Sequence, residues 1–464
     1  MATLYEAYAQ LLDSIEKEYK LSESNNSPHK FSTGVLSIDL VIGGGLVVGT
    51  NFIVSGMEQS AKSTLAMHCL GSFLKYDVPV IDYHDPENSV DAVYTGNILK
   101  IKLADLVGQR DASGKWINLP RIRHYQDNVI ETVFDSTIKL LNRLPDKKYR
   151  SEDGEYYYIV DKKDPRQKGF AEALNKTAEL NSTLSKSEFL WYYADPSPQA
   201  LVIVDSYAAM VAESEDEKEE RGKAMALEAR LFSQNLRRLV GKIRRKAAIV
   251  FGTNQLREKP GVMFGSPIYE TGGNALKFYS TNRNRLAARA VPEKWKTQGS
   301  SQVSTEPSVE GKGEDIYAYK LFTNVKNKHA SPFGECWTRV WVKDYRGQGR
   351  GFDPVFDLAE MFQMMKLATV SNGAGGKKIK FWNMPDEFKP FSNTIIDWLM
   401  FKTIVLAGEG SSRDVRLKAV EFLKANKLPV LPFRAKALKL LSSGKASAIY
   451  HANKSDKSSA KGEE

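Results

Sequence analysis

Residues 51–65 read NFIVSGMEQSAKSTL, and this stretch decides the fold. A short apolar run of Phe52, Ile53 and Val54 ends at Gly56. Lys62, Ser63 and Thr64 follow, and AMHCLGSFLKY (66–76) then continues with helix-like composition. Strand, loop and helix in that order are the context of a phosphate-binding loop. Gly56, Glu58, Gln59, Ser60, Ala61, Lys62, Ser63 and Thr64 would line it: backbone N–H groups cradle the phosphates of ATP, the Lys62 ammonium reaches the β- and γ-phosphates, and the Ser63 hydroxyl sits on Mg²⁺. One position departs from the motif. Ala61 stands where its second glycine belongs, and a Cβ there narrows the backbone geometry while leaving Lys62 and Ser63 in place.

Outward from this loop, apolar strands alternate with helical patterns from residue 31 onward. VPVIDYHD (78–85), ALVIVDSY (200–207) and AAIVFGTNQ (247–255) are near-continuous apolar runs that close on polar residues, the signature of buried parallel strands. Ligands of such sheets bind beyond the carboxyl ends of the strands. The residues to interrogate are therefore Asp85 and Glu87, Asp205 and Ser206, and Asn254 and Gln255. The expected fold class is α/β, a P-loop core with a mostly parallel sheet flanked by helices.

Residues 3–20 form an amphipathic pattern with Leu4, Tyr8, Leu11, Leu12, Ile15 and Tyr19 on one stripe, followed by the polar linker SESNNSPHK (22–30). A helix on such a linker suits docking on a neighbouring subunit, or on its own domain. The expected division is an N-terminal helix and linker over 1–30, a core over 31–358, a small α/β C-terminal domain over 359–449 and a disordered tail over 450–464. Within the core, about 145–195 reads as an insertion, a charged hairpin followed by a polar helical stretch.

Composition narrows the class. A chain of 464 residues suggests two or three domains. No apolar run approaches the ~20 residues of a membrane span, so no membrane partner is expected. The two cysteines, Cys69 and Cys336, have no metal-ligand spacing, which fits an intracellular protein without disulfides. The formal charge of +10 is compatible with a polyanionic partner and equally with solubility alone.

TNQLREKPGVMFGSPIYETGGNALKFY (253–279) closely resembles the most characteristic stretch of the RecA recombinases, as do STGVLSIDLVIGGGLVVG (32–49) and VKNKHASPFGE (325–335). The order and spacing of these blocks agree, and the resemblance covers residues 1 to about 360. The non-glycine loop position and the divergence elsewhere look more like bacteriophage recombinases of the UvsX type. The resemblance implies a RecA-like ATPase core whose N-terminal helix joins protomers into a helical filament, with ATP and Mg²⁺ as cofactors and single- and double-stranded DNA as partners. It implies an intracellular, DNA-associated protein, in the cytoplasm of a bacterial host if of phage origin. A loading mediator or single-strand-binding protein is left open as a further partner.

Residue by residue, Glu87 matches the catalytic glutamate that activates the attacking water. Asp91, Tyr94 and Tyr345 match positions that contact the adenine; Asp205, read from its own place at the close of an apolar strand, is a carboxylate that can hold Mg²⁺ through its water shell. Gln255 matches the glutamine that senses the γ-phosphate and passes its presence to the loop that follows. Lys326 and Lys328 match lysines that reach onto a neighbour's ATP, in the manner of an arginine finger.

The DNA side is read from 257–275, where glycines are too frequent for regular structure. Arg257 and Lys259 would contact the DNA backbone, Val262, Met263 and Phe264 would wedge between bases, and Gly272, Gly273 and Asn274 would offer short groups to phosphates. Arg230, Ser233 and Arg237 lie at helical spacing on one face of a basic helix that runs on to Lys242, Arg244, Arg245 and Lys246. By contrast ESEDEKEERGKA (213–224) carries six acids, so no DNA contact is assigned to it. The expected function is DNA-dependent ATP hydrolysis coupled to homologous pairing and strand exchange. A hexameric RecA-fold helicase and a non-hydrolysing, ATP-bound DNA-coating protein remain the alternatives.

Overall fold

The computed structural model describes residues 29–459 except 77, 151–153, 162, 176–188, 214–220, 259–267, 273, 296–301, 374–375 and 410. The expected N-terminal helix, the acidic segment at 214–220, Lys259, Val262, Met263, Phe264, Gly273 and the last five residues therefore lie outside the described residues.

The central sheet has eleven strands. Nine of them form its main path: β1 (Asn51–Gly56), β2 (Val80–His84), β3 (Arg123–Tyr125), β4 (Ala200–Val204), β5 (Ala248–Glu258), β6 (Asn282–Arg289), β7 (Glu314–Asn327), β8 (Glu335–Lys343) and β9 (Gly351–Phe352). The spatial order is β9-β8-β7-β6-β1-β5-β4-β2-β3, parallel from β6 to β3 and antiparallel from β6 through β9. Each apolar run read from the sequence is one of the parallel strands, and the expected α/β architecture is present.

Side-chain alternation explains why these runs are apolar throughout. Phe52, Val54, Leu201, Ile203, Ile249 and Phe251 face one layer, against Leu65, Leu70 and Phe73 of the helix Lys62–Lys75. Ile53, Val202, Val204 and Val250 face the other, against Phe134, Phe232, Leu236 and Ile243 of the helices Ile130–Arg143 and Arg221–Arg245. Each such side chain, fully buried, contributes about 1.5–3 kcal/mol.

The expected domain boundary at 358/359 falls inside the helix Pro354–Met364, which begins at its cap Asp353 with Pro354 in the first turn. One apolar cluster runs without a break from Leu36 and Tyr319 through Phe356 and Phe362 to Phe381, Phe401 and Phe433. The C-terminal region, a three-stranded antiparallel sheet with helices, thus shares its core with the main body. Buried Arg339 ties the two together: it donates to Glu306 at 2.8 and 3.0 Å and to Asp353 at 2.6 Å, and Trp398 donates to the same Glu306 at 3.0 Å. The predicted disordered tail also changes. Residues 450–459 continue the helix Lys445–Ser459, because the helical hydrogen-bond ladder begun at Lys445 is not interrupted by Gly or Pro.

In the insertion, Asp146–Arg150 and Glu155–Asp161 form the expected hairpin. A third strand, Phe189–Ala194, pairs with it as well. The run FLWYYA is aromatic, the composition strands favour. Lys246 anchors the insertion to the amino end of the sheet through Asp146 at 2.7 Å. Among the described residues no helix is long and apolar enough to cross a membrane.

Candidate nucleotide and nucleic-acid site

Gly56 ends β1 where the chain must turn sharply. A Cβ on it would lie 2.3 Å from both Leu286 O and Ser60 Oγ, so only glycine fits. The loop then passes through positive φ at Gln59 (56°) and Ala61 (73°), and Ala61 is the residue before the helix Lys62–Lys75. The backbone therefore adopts at Ala61 the left-handed conformation that the motif's glycine supplies, with a Cβ present. Lys62 is buried and donates to Met57 O at 2.9 Å; Gln59 O accepts from Lys320 at 2.8 Å. Burial holds the Lys62 ammonium below its ordinary range, opposed by the charges of Asp205, Glu87 and Glu58.

Asp205 follows the last residue of β4, beside the loop. Its carboxylate accepts from Ser63 Oγ at 3.2 Å, from Tyr83 OH at 2.9 Å and from Thr253 Oγ1. Burial pushes the Asp205 carboxyl above the usual carboxylate range, against those three hydrogen bonds. A hydroxyl and a carboxylate in contact at the mouth of a phosphate loop are the hard oxygen donors Mg²⁺ takes, with water and phosphate completing its shell. The residues present fit the ion.

Glu87 sits beyond β2 and is tied to two neighbouring strand ends. Ser206 Oγ donates to Glu87 Oε1, and Gln255 Nε2 donates to the same oxygen at 3.4 Å. Gln255 lies near the end of β5, whose last residues pair in antiparallel fashion with Ile268–Glu270. At the described ends of the segment 257–275, where its glycines suggested irregular chain, residues 257–258 and 268–269 are therefore paired strands. Thr271 Oγ1 donates to Asn254 Oδ1 at 2.8 Å and to Gln255 O at 3.3 Å, fastening the return strand to the glutamine.

The other strand-end candidates do local work. Asp85 accepts from the backbone N–H groups of Ser89 and Val90, both at 3.1 Å, and so shapes the loop that carries Glu87. Asp91 caps the helix Ala92–Leu99, accepting from Tyr94 N at 2.6 Å. Tyr94 OH meets Thr64 Oγ1 at 2.9 Å, so this ring is brought to the loop. Tyr345 is engaged within its own turn instead, where its hydroxyl accepts from Arg346 Nε at 2.7 Å.

Lys326 and Lys328 stand away from the phosphate loop of their own chain. Lys326 pairs in register with Arg283, and Arg283 with Ile53, three residues before Gly56 on β1. At ~3.3 Å per residue this sets Lys326 about 10 Å back along the strands, toward their amino ends. Its ammonium donates to Lys277 O at 2.8 Å and Phe278 O at 3.1 Å, while Lys328 is exposed.

On the nucleic-acid side, Arg230 and Arg237 are exposed and Ser233 is half-buried on one face of the helix Arg221–Arg245. Gly272, at φ 80°, packs against that helix: a Cβ on it would lie 3.6 Å from the Phe232 ring. The root of the 257–275 segment, with Arg257, Gly272 and Asn274, and the basic helix therefore form one surface. Sequence reasoning singled out Ser206 as a strand-end residue but missed Tyr83, Thr253 and Lys320. Thr253 alone carried a signal, since strand alternation places residue 253 on the same face as Gln255.

Residues 194–340 match the RecA N-terminal domain. The chain is 28% identical to protein RecA of Mycoplasma mobile over 340 residues, covering 73% of this chain and 74% of that protein. It is 29% identical to protein RecA of Clostridioides difficile over 363 residues, covering 76% and 77%. With protein RecA of Thermotoga maritima it shares 28% identity over 401 residues, covering 85% and 78%.

Proposed function

We propose that this protein is a RecA-family recombinase, a DNA-dependent ATPase that assembles head to tail on single-stranded DNA and promotes homologous pairing and strand exchange. The observation that carries the reading is the hydrogen bond from Gln255 to Glu87, which links the water-activating position to the ribbon bearing the nucleic-acid loop. Lys62 and the loop N–H groups would hold the triphosphate, and Ser63 and Asp205 would hold Mg²⁺, whose charge would offset that developing on the phosphates. Glu87 would accept a proton from water as its oxygen attacks the γ-phosphorus and ADP departs. Lys326 and Lys328, set back toward the opposite end of the sheet, would serve a neighbour's ATP, so hydrolysis would require assembly. Arg230, Ser233, Arg237, Arg257, Lys259, Val262, Met263, Phe264, Gly272, Gly273 and Asn274 would grip the strand. Base pairing between strands would read the sequence, with no base code in the protein. Ala61 and the insertion support placing the chain with phage recombinases of the UvsX type. The test is strand exchange between circular single-stranded DNA and a homologous linear duplex. ATP-dependent joint molecules are expected; their absence from protein that binds DNA and hydrolyses ATP overturns the reading.

A further inference from the structure

The helix Arg221–Arg245 has ends of opposite charge. Immediately before it, residues 213–220 read ESEDEKEE, six acids and one lysine. At its other end come Lys242, Arg244 and Arg245, with Arg244 and Arg245 exposed. The helix passes through Lys246 and Ala247 directly into β5, so it runs antiparallel to the parallel strands. Its basic end therefore lies at the amino ends of those strands, and its first residue, Arg221, at their carboxyl ends, the end that carries the phosphate loop. At 1.5 Å per residue the two ends are about 37 Å apart.

The basic end does not stand alone. Lys328 N donates to Thr281 O at 3.2 Å and Thr281 N to Asn51 O at 3.0 Å, while a Cβ on Gly49, two residues before Asn51, would lie 3.1 Å from Arg244 Cα, so Lys328 and the helix end share the amino-end face. Lys242 is lowered by burial and then by Arg245, Lys246, Arg238 and Arg166, which brings in the insertion. Lys246 is matched by Asp146 at 2.7 Å, Arg166 by Asp164 at 2.8 Å and Arg238 by Asp135 at 3.7 Å. Arg244, Arg245 and Lys328 have no ion pair among the described residues. The result is a cationic surface continuous with Lys328.

We propose that this surface docks the acidic segment 213–220 of the adjacent copy of the chain. The inference rests on the head-to-tail reading above. If Lys328 of one copy faces the phosphate loop of the next, the amino-end face of one meets the carboxyl-end face of the other. The helix packs over β1, β4 and β5 and runs from their carboxyl ends to their amino ends, so it spans the distance between the two faces. Opposite charges at the two ends then meet at every joint, and like ends repel, which sets the polarity of assembly. The acidic segment, unsuited to DNA, thereby acquires an occupant's role.

A charge-reversal pair tests this on the full chain with ATPγS and single-stranded DNA. One variant carries Glu215→Lys, Glu217→Lys and Glu219→Lys; the other carries Arg244→Glu and Arg245→Glu. Each alone sets like charge against like, and the concentration for half-assembly, read by light scattering, is expected to rise about tenfold or more. An equimolar mixture restores opposite charge at both kinds of joint and is expected to assemble within about twofold of wild type. Wild-type-like assembly of either variant alone overturns the contact. So does impairment that mixing leaves unrescued while melting temperatures are unchanged; weaker DNA binding below the assembly concentration would then assign the cations to DNA. If a reversed variant does not fold, Arg244→Gln with Arg245→Gln replaces it, and unchanged half-assembly overturns the contact. Failure of the wild type itself to assemble overturns the head-to-tail reading as a whole.

Discussion

Gln255 donates to Glu87 Oε1 at 3.4 Å, and the Ser206 hydroxyl donates to the same oxygen. Two strand ends, β4 and β5, thus hold one carboxylate between them. Gln255 is also fastened from behind, since Thr271 donates to its carbonyl. A phosphate arriving beside Glu87 would compete for the Gln255 amide, and Gln255 is itself fastened to the paired strand Ile268–Glu270 through Thr271.

Glu87→Gln is expected to keep nucleotide and DNA binding while DNA-stimulated phosphate release falls about 10²–10⁴-fold, the usual contribution of a positioned general base. Unchanged release at saturating single-stranded DNA removes Glu87 from the role.

Ala61 occupies φ 73° and ψ 29° without the freedom of glycine. A left-handed L-residue costs roughly 1–2 kcal/mol, partly offset because glycine in its place gains entropy in the unfolded chain. Ala61→Gly is therefore expected to be neutral to stabilising, by up to about 1 kcal/mol, in urea melts. A clear loss of stability would show that the Cβ makes a favourable contact outweighing the strain.

Asp39 lies in the helix Leu36–Val41 and is fully buried, and it accepts from Thr33 N at 2.8 Å, from Thr33 Oγ1 at 2.6 Å and from Ser32 Oγ. Burial, joined by the charge of Asp357, raises its carboxyl to about 7 against those hydrogen bonds. The folded form then keeps a proton that the unfolded chain releases near pH 4. The proton's stabilising contribution is complete below about pH 4, declines as pH rises, and is gone above about pH 7. Asp39→Asn cannot ionise, so the gap between variant and wild type should move in the variant's favour by roughly 2–4 kcal/mol from pH 4 to pH 8. Parallel stability profiles in chemical denaturation would return Asp39 to an ordinary carboxylate.

Lys62→Ala and Lys328→Ala are each expected to abolish most hydrolysis when assayed alone. Mixed in equal amounts, they create joints where an intact phosphate loop faces an intact lysine, up to about a quarter of all joints if assembly is random. Phosphate release should recover toward that fraction. No recovery, with both variants incorporated into the assembly, places Lys328 outside the neighbour's site.

Much of the core was legible in the chain itself. Runs such as ALVIV over Ala200–Val204 are buried on both faces, and few structures other than a central parallel strand tolerate so unbroken an apolar sequence. The phosphate loop was legible for a related reason: a strand, a glycine that no Cβ can replace and a lysine opening a helix leave little conformational choice. The third strand of the insertion was less visible, because six aromatic and aliphatic residues pair only with a hairpin some thirty positions earlier. The domain boundary inside Pro354–Met364 was invisible for the opposite reason, since a change in composition at residue 359 is not a break in packing.

What the sequence determined alone was local: which segments extend, which coil, and that a tight glycine turn opens the helix Lys62–Lys75. Those outcomes follow from propensity, alternation and backbone sterics, which act over a few residues. Only the tertiary structure decided that Tyr83, Thr253 and Ser63 converge on Asp205, and that Ser206 and Gln255 share Glu87. Strand order and helix direction settle such meetings. Both depend on how the whole sheet closes its two apolar faces, a condition no short segment can express.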